Sequence, residues 1–278
     1  MLKFKLHSVV LLAFGLVLSV SSCSNDETLD ITNETEGQLN ASSTSLQSST
    51  SPWDFDSSYS TNDDMQVDND GNGSHNWDED DYDDDPNDNG FDVRDYIFVS
   101  GSRLILQCPR GSGGSGRRAE YRDQTNIDLD RRNRMDLTFD VRNYDNESEL
   151  ILAQLHNDDS RVRRPYLTVQ AEDGWIELQR RNNFNGTGTT TANSRIRFRQ
   201  GDRYRIRMDS QNGTREVDVR IDNLDTGERA SRNFGFDTSW NSVDGSFYWK
   251  HGAYMPDGGS DDTQQRVETI SFATNRTN

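Results

Sequence analysis

An all-β fold, a two-sheet sandwich or jelly roll, is what this 278-residue sequence predicts. Three observations predict it. Short runs of Val, Ile, Leu, Tyr, Phe and Trp recur from residue 91 onward. Turn-forming pairs separate several of them: Asp173-Gly174, Asn212-Gly213, Thr226-Gly227 and Asp244-Gly245. No stretch spaces its apolar residues at the 3.6 period of an amphipathic helix. A folded part of roughly 180 residues is long enough to enclose one core.

In chain order, residues 1–22 read as a targeting segment. Lys3 and Lys5 precede an apolar run over 9–20, too short to span a bilayer comfortably. The run ends in Val20-Ser21-Ser22-Cys23, which resembles a bacterial lipobox, so Cys23 is the expected lipidation site and a membrane the expected partner. Ser24-Asn25-Asp26-Glu27 resembles the acidic signal that sends some lipoproteins to the outer surface of the outer membrane. An ordinary secretory signal is the alternative.

Residues 23–90 are expected to be a disordered acidic tether. The span 24–93 holds 20 Asp+Glu and no Lys or Arg, so its charges repel and few residues can build a core. Within it, Asp68, Asp70, Asn72 and Glu79 match the spacing of an EF-hand calcium loop. The flanks lack helical periodicity, and a solvated acidic linker explains the same residues. No other metal site or cofactor is expected.

The domain is expected over 91–278. Strands are predicted at 96–99, 104–107, 135–142, 150–156, 166–170, 175–180, 195–199, 203–208, 216–221, 246–254 and 267–272, with a further one carrying Arg118. Residues 110–117 contain Gly-Ser-Gly-Gly-Ser-Gly but not the Lys-Ser/Thr ending of a phosphate loop, so they read as a flexible connection. Residues 182–194 read as a loop, either a lid or a plain hairpin connection. Arginines alternate at 195, 197 and 199 and again at 203, 205 and 207, facing either a ligand groove or solvent. Cys108 has no partner if Cys23 carries lipid, and its neighbours show no nucleophile motif.

The chain's net charge of -18 belongs to the tail: residues 94–278 hold 28 Lys+Arg and 28 Asp+Glu. An arginine-rich neutral domain suits an anionic polymer. Nucleic acid is excluded, because no binding motif appears and an exported protein rarely meets it. A monomer is expected.

Three strands carry the chemistry. Alternation puts Tyr248, Lys250, Gly252 and Tyr254 on one face, with the glycine expected to leave open space. It likewise groups Arg118, Glu120 and Arg122, and Gln154 with His156. Burying such a set for stability alone would cost heavily. The stretches Arg118-Ala119-Glu120-Tyr121-Arg122, Gln154-Leu155-His156 and Tyr248-Trp249-Lys250-His251-Gly252-Ala253-Tyr254 resemble R-x-E-L-R, Q-[IV]-H and Y-F-K-A-G-x-Y of the alginate lyases of polysaccharide lyase family 7. The departures are Tyr121 for Leu, His251 for Ala, and Met255-Pro256-Asp257 after the last motif.

The resemblance implies a β-jelly roll and β-elimination from a uronic-acid polymer, with Arg118, Gln154, His156 and Tyr254 catalytic. The residue chemistry agrees. Arg118 and Gln154 can neutralise the uronate carboxylate, His156 can remove the C5 proton, and Tyr254 can protonate O4. Tyr254 as both base and acid is the alternative for the other C5 configuration, aided by neighbouring cations such as Lys250. Glu120 is expected to orient Arg118 and Arg122, and Tyr248, Lys250, Glu120 and Arg122 to bind substrate. Alternatives to alginate are glucuronan or a mixed polyuronate; a surface glycan-binding lipoprotein is the non-catalytic one.

Overall fold

The computed structural model describes residues 63–68, 75–77, 82, 86–88, 90–109, 116–144, 149–159, 161, 164–210, 214–243, 245–256 and 264–276. The expected targeting segment, Cys23, the glycine loop at 110–115 and three of the four calcium-loop residues (Asp70, Asn72, Glu79) lie outside them.

Two antiparallel sheets form the β-sandwich. The first has eight strands in the order β12 (Thr189–Arg197), β11 (Trp175–Arg181), β10 (Leu167–Glu172), β9 (Leu150–Asn157), β16 (Phe247–Met255), β7 (Arg117–Ile127), β1 (Asp63–Asp68) and β2 (His75–Trp77). The second has seven: β15 (Arg229–Gly235), β14 (Glu216–Asn223), β13 (Arg203–Ser210), β8 (Asn133–Asn143), β17 (Arg266–Arg276), β6 (Arg103–Gln107) and β5 (Ile97–Ser100). A small hairpin, β3 (Asn87–Asp88) with β4 (Phe91–Asp92), stands apart. The described helical elements are 3-10 turns at Val93–Asp95 and Thr238–Val243.

Alternation explains the layers. In β13, Tyr204, Ile206 and Met208 are buried while Arg203, Arg205 and Arg207 face outward. The main core joins Leu137, Phe139 and Val141 of β8 to Leu152, Leu155, Val169, Ile176 and Trp249 of the facing sheet. A second cluster gathers Met65, Val67, Ile97, Leu104, Leu106, Ala119 and Tyr121.

That second cluster corrects the tether. Residues 63–68, read from composition as disordered, form β1 and pair with β7 along the stretch that carries Arg118, Glu120 and Arg122. Asp-Asp-Met-Gln-Val-Asp alternates apolar with polar, and burying Met65 and Val67 contributes roughly 1.5–3 kcal/mol each. The register sets Asp64 opposite Arg122 and Asp68 opposite Arg118, so the acidic strand meets a basic one. Asp68 is therefore a buried strand residue. Among the described residues no cluster of three or more His, Cys, Asp or Glu is placed to hold a metal.

Two further expectations resolve. Residues 189–194 belong to β12, and the remaining connection at 182–188 is a hairpin closed by the Asn182 amide on the Gly188 carbonyl. The arginines at 203, 205 and 207 are not groove residues. They join an ion-pair lattice on the outer face of the seven-stranded sheet, where Asp140 takes Arg103, Arg142 and Arg203 and Asp136 takes Arg205 and Arg207. Arg197 of the other set lies on the edge strand, 3.5 Å over the Trp175 ring. Cys108 is buried, and burial pushes its thiol far above the ordinary range, so it is inert packing.

Candidate active site

The three motif strands are neighbours, in the order β9, β16, β7, with β1 beyond. Cross-strand register places Lys250 opposite Gln154 on one side and Arg122 on the other. Tyr248 stands opposite His156, Gly252 opposite Glu120 and Tyr254 opposite Arg118. All eight residues singled out in the sequence thus lie together on the face turned away from the core. That face is recessed: Glu120, Gln154 and Lys250 are each no more than 2% exposed.

At its centre, Lys250 Nζ lies 2.6 Å from Glu120 Oε2. Gln154 donates its amide to the other Glu120 oxygen, and Arg118 Nη1 stands 3.5 Å from Oε2. A carboxylate this buried is tolerable only because each of its oxygens has a charged or hydrogen-bonding neighbour. Burial pulls Lys250 down to about 8; Glu120 opposes this, and Arg118 and Arg122 add to it. Glu120 therefore holds Lys250, Gln154 and Arg118. It does not hold Arg122, which instead pairs with Asp158 at 3.4 Å and lies 3.8 Å over the Tyr248 ring.

His156 is set by its neighbours. Nδ1 lies 2.7 Å from the Asn157 carbonyl, which can only accept, so Nδ1 carries the proton and Nε2 the lone pair. The Tyr248 hydroxyl, 2.9 Å from Nδ1, and its ring, centred 5.1 Å away, hold the imidazole plane. Burial, reinforced by Lys250, Arg122 and Arg118, pushes the imidazole down to about 3, so it is neutral at pH 7.

Tyr254 has the opposite bias. Burial raises its hydroxyl above the ordinary range, and Arg118, 4.0 Å over the ring, offsets this only in part. The expected lowering by Lys250 is corrected, because desolvation outweighs the cations. The space beside Gly252 is corrected too. A Cβ there would lie 2.3 Å from the Ala119 carbonyl oxygen, so the glycine admits the β7 backbone rather than leaving room. The register with β9 also slips between His251 and Tyr254, a bulge that the sequence did not announce.

His251 points into the core as alternation requires, stacked on Phe272 at 4.4 Å. The residue sequence reasoning missed is Gln66 of β1. It accepts from Lys250 Nζ through Oε1 and donates from Nε2 to Asn76 of β2 at 2.8 Å. The signal was present in the alternation around Met65 and Val67, but the acidic composition hid it.

Cations, a buried amide, a neutral imidazole and a protonated phenol on one recessed sheet of a jelly roll are the layout of a polysaccharide lyase. The comparisons with known proteins agree. The family profile described as alginate lyase matches residues 81–274. Alginate lyase A1-II', a member of polysaccharide lyase family 7, superposes with a TM-score of 0.61 at 16% identity, covering 81% of this chain and 97% of its own. Alginate lyase PA1167 from Pseudomonas aeruginosa gives 0.61 at 14%, covering 78% and 98%. The marine alginate lyase AlyA1 from Zobellia galactanivorans gives 0.53 at 15%, covering 78% and 94%. No curated protein sequence matches. The chain belongs to the alginate lyase family, and it is a polysaccharide lyase acting on an alginate-type polymer.

Proposed function

We propose that the enzyme breaks alginate by β-elimination, with Arg118 and Gln154 neutralising the uronate carboxylate, His156 as base and Tyr254 as acid. The observation that carries this reading is the opposite bias of the two proton carriers: a neutral imidazole with its Nε2 lone pair free of Nδ1's bond, and a phenol held protonated. His156 Nε2 takes the C5 proton. The electron pair left at C5 forms the C4–C5 double bond as the C4–O4 bond breaks. Tyr254 gives its proton to the departing oxygen. Gln154 has a second amide hydrogen for the substrate, since Glu120 takes one. Tyr254 acting as its own base would need a phenolate, which burial disfavours.

Farther along, at the end of β11, Arg181 donates to the Gly186 carbonyl and lies near Arg164 of the connection before β10; among the described residues neither has a carboxylate partner. Guanidiniums with no carboxylate partner among the described residues suit a polyanion better than a neutral glycan. The solved alginate lyase A1-II' has been seen with product (GGG) and substrate (GGMG), which favours alginate over glucuronan as the polymer. The lipobox at Cys23 supports a lipid anchor, and Ser24-Asn25-Asp26-Glu27 supports an outward-facing place on the outer membrane.

The test is Tyr254→Phe, which removes one hydroxyl and keeps the ring. Ultraviolet absorbance of the unsaturated product should fall in kcat by about 10²–10⁴-fold, with polymer binding largely kept. Undiminished turnover would exclude Tyr254 as the acid. Absence of product from the wild type on every polyuronate would instead favour a glycan-binding protein.

A further inference from the structure

We propose that Gln66 is a positioning residue of this active site: it fixes the charged state and place of Lys250, so β1 is part of the catalytic machinery. The inference rests on the lyase reading above. Gln66 stands outside the matched family region, which begins at residue 81. It enters the site because β1 pairs with β7 and sets Gln66 opposite Glu120.

The orientation of the Gln66 amide follows from its two neighbours. Lysine ammonium can only donate, so the atom facing Nζ must be the carbonyl oxygen Oε1. The amide nitrogen then points at Asn76 Oδ1, 2.8 Å away on β2. The ammonium is thereby held between Glu120 on β7 and Gln66 on β1.

Among the described residues, the titratable and charged groups around Lys250 are few. From β7 come Glu120, Arg118 and Arg122; from β9, His156 and the neutral Gln154; along β16 itself, Tyr248 and Tyr254; from β1, Asp68 lies at the Arg118 end. Two guanidiniums and burial favour loss of the proton; Glu120 and Gln66 oppose it. An acceptor hydrogen bond to a charged group is worth more than one between neutral groups. Its removal therefore lowers the pH at which Lys250 discharges. Once discharged, Lys250 no longer balances Glu120, and the Gln154 amide that Glu120 anchors loses its fixed place. Gln66 thus acts through Lys250 on the carboxylate-binding side of the reaction.

The experiment uses the full chain with Gln66→Leu and Gln66→Glu. Lysines are labelled at Cε, and each variant is titrated by NMR while kcat and KM on alginate are followed from pH 6 to 10. The sequence has Lys3, Lys5 and Lys250 only, so Lys250 is read without crowding. For Gln66→Leu, the Lys250 titration and the alkaline limb of kcat should both move down by about one unit, with KM nearly unchanged. Gln66→Glu, of the same size, should move both up. If Gln66→Leu fails to fold, the upward shift in Gln66→Glu still decides. A lower melting temperature with wild-type titration and pH limb in both variants would show β1 to be scaffold only and overturn the proposal. Should the wild type yield no unsaturated product, the lyase reading fails, while the NMR shifts still test the Gln66–Lys250 link.

Discussion

His251 offers the sharpest physical test. It is fully buried between the sheets, stacked on Phe272 and set edge-on to Tyr121 at 5.6 Å, and neither ring nitrogen has a hydrogen-bond partner among the described residues. Burial pushes its imidazole down to about 3. In the unfolded chain the same group titrates near ~6.5. Between these values the unfolded state binds a proton that the folded state refuses, so stability is intact above about pH 6.5 and falls as the pH drops towards 3. At pH 5 the unfolded imidazole is about 1.5 units below its own pKa, and at ~1.36 kcal/mol per unit the loss is about 2 kcal/mol. For a domain of this size that is about 4–8 °C in Tm. His251→Leu keeps the bulk and removes the proton site. Urea unfolding of both proteins at pH 7.5 and pH 5 gives a double difference in which His156, present in each, cancels. The expected value is about 2 kcal/mol in favour of the variant at pH 5. A double difference near zero would mean that His251 is charged in the folded state, and the burial argument would be wrong.

Two other perturbations test separate parts of the account. Gly252→Ala sets a methyl against the Ala119 carbonyl and must push β16 from β7; a loss of about 1–3 kcal/mol and lower turnover are expected, and an unchanged melting curve would deny the close approach. Cys23→Ala should move the protein from the membrane fraction to the soluble fraction of its host, and retention in membranes would refute lipid anchoring at that residue.

The strands most visible in the sequence were those with one dry face. Residues 203–208 and 216–221 alternate cleanly because each packs a single side on the core, and both are strands with nearly those limits. β12 was displaced in the reading because an edge strand pairs on one side only, so its threonines need no apolar alternation. β15 passed unnoticed for a similar reason: between Arg229 and Gly235 only Ala230 and Phe234 are buried. At the site, spacing grouped Arg118, Glu120 and Arg122, then Gln154 with His156, then Tyr248, Lys250 and Tyr254, each set on one face of its own strand; the strand order brings the three sets together. Spacing could not say which cation Glu120 would hold, because that depends on the stacking order of strands far apart in the chain. Two of the three family departures also become intelligible in space. Tyr121 and His251 face each other across β7 and β16 and fill one patch of core, where Leu and Ala would leave it emptier.

The polar row under the substrate has a consequence for assembly. Asn76, Gln66, Lys250 with Glu120, and Gln154 touch in sequence across five adjoining strands, and each contact requires its own strand to be in step. A slip of one residue in β7 or β16 turns its side chains over and leaves a buried charge without its counterpart. Here the charged floor of the candidate site also checks the weave, because Lys250 and Glu120 meet only when β16 and β7 are in step.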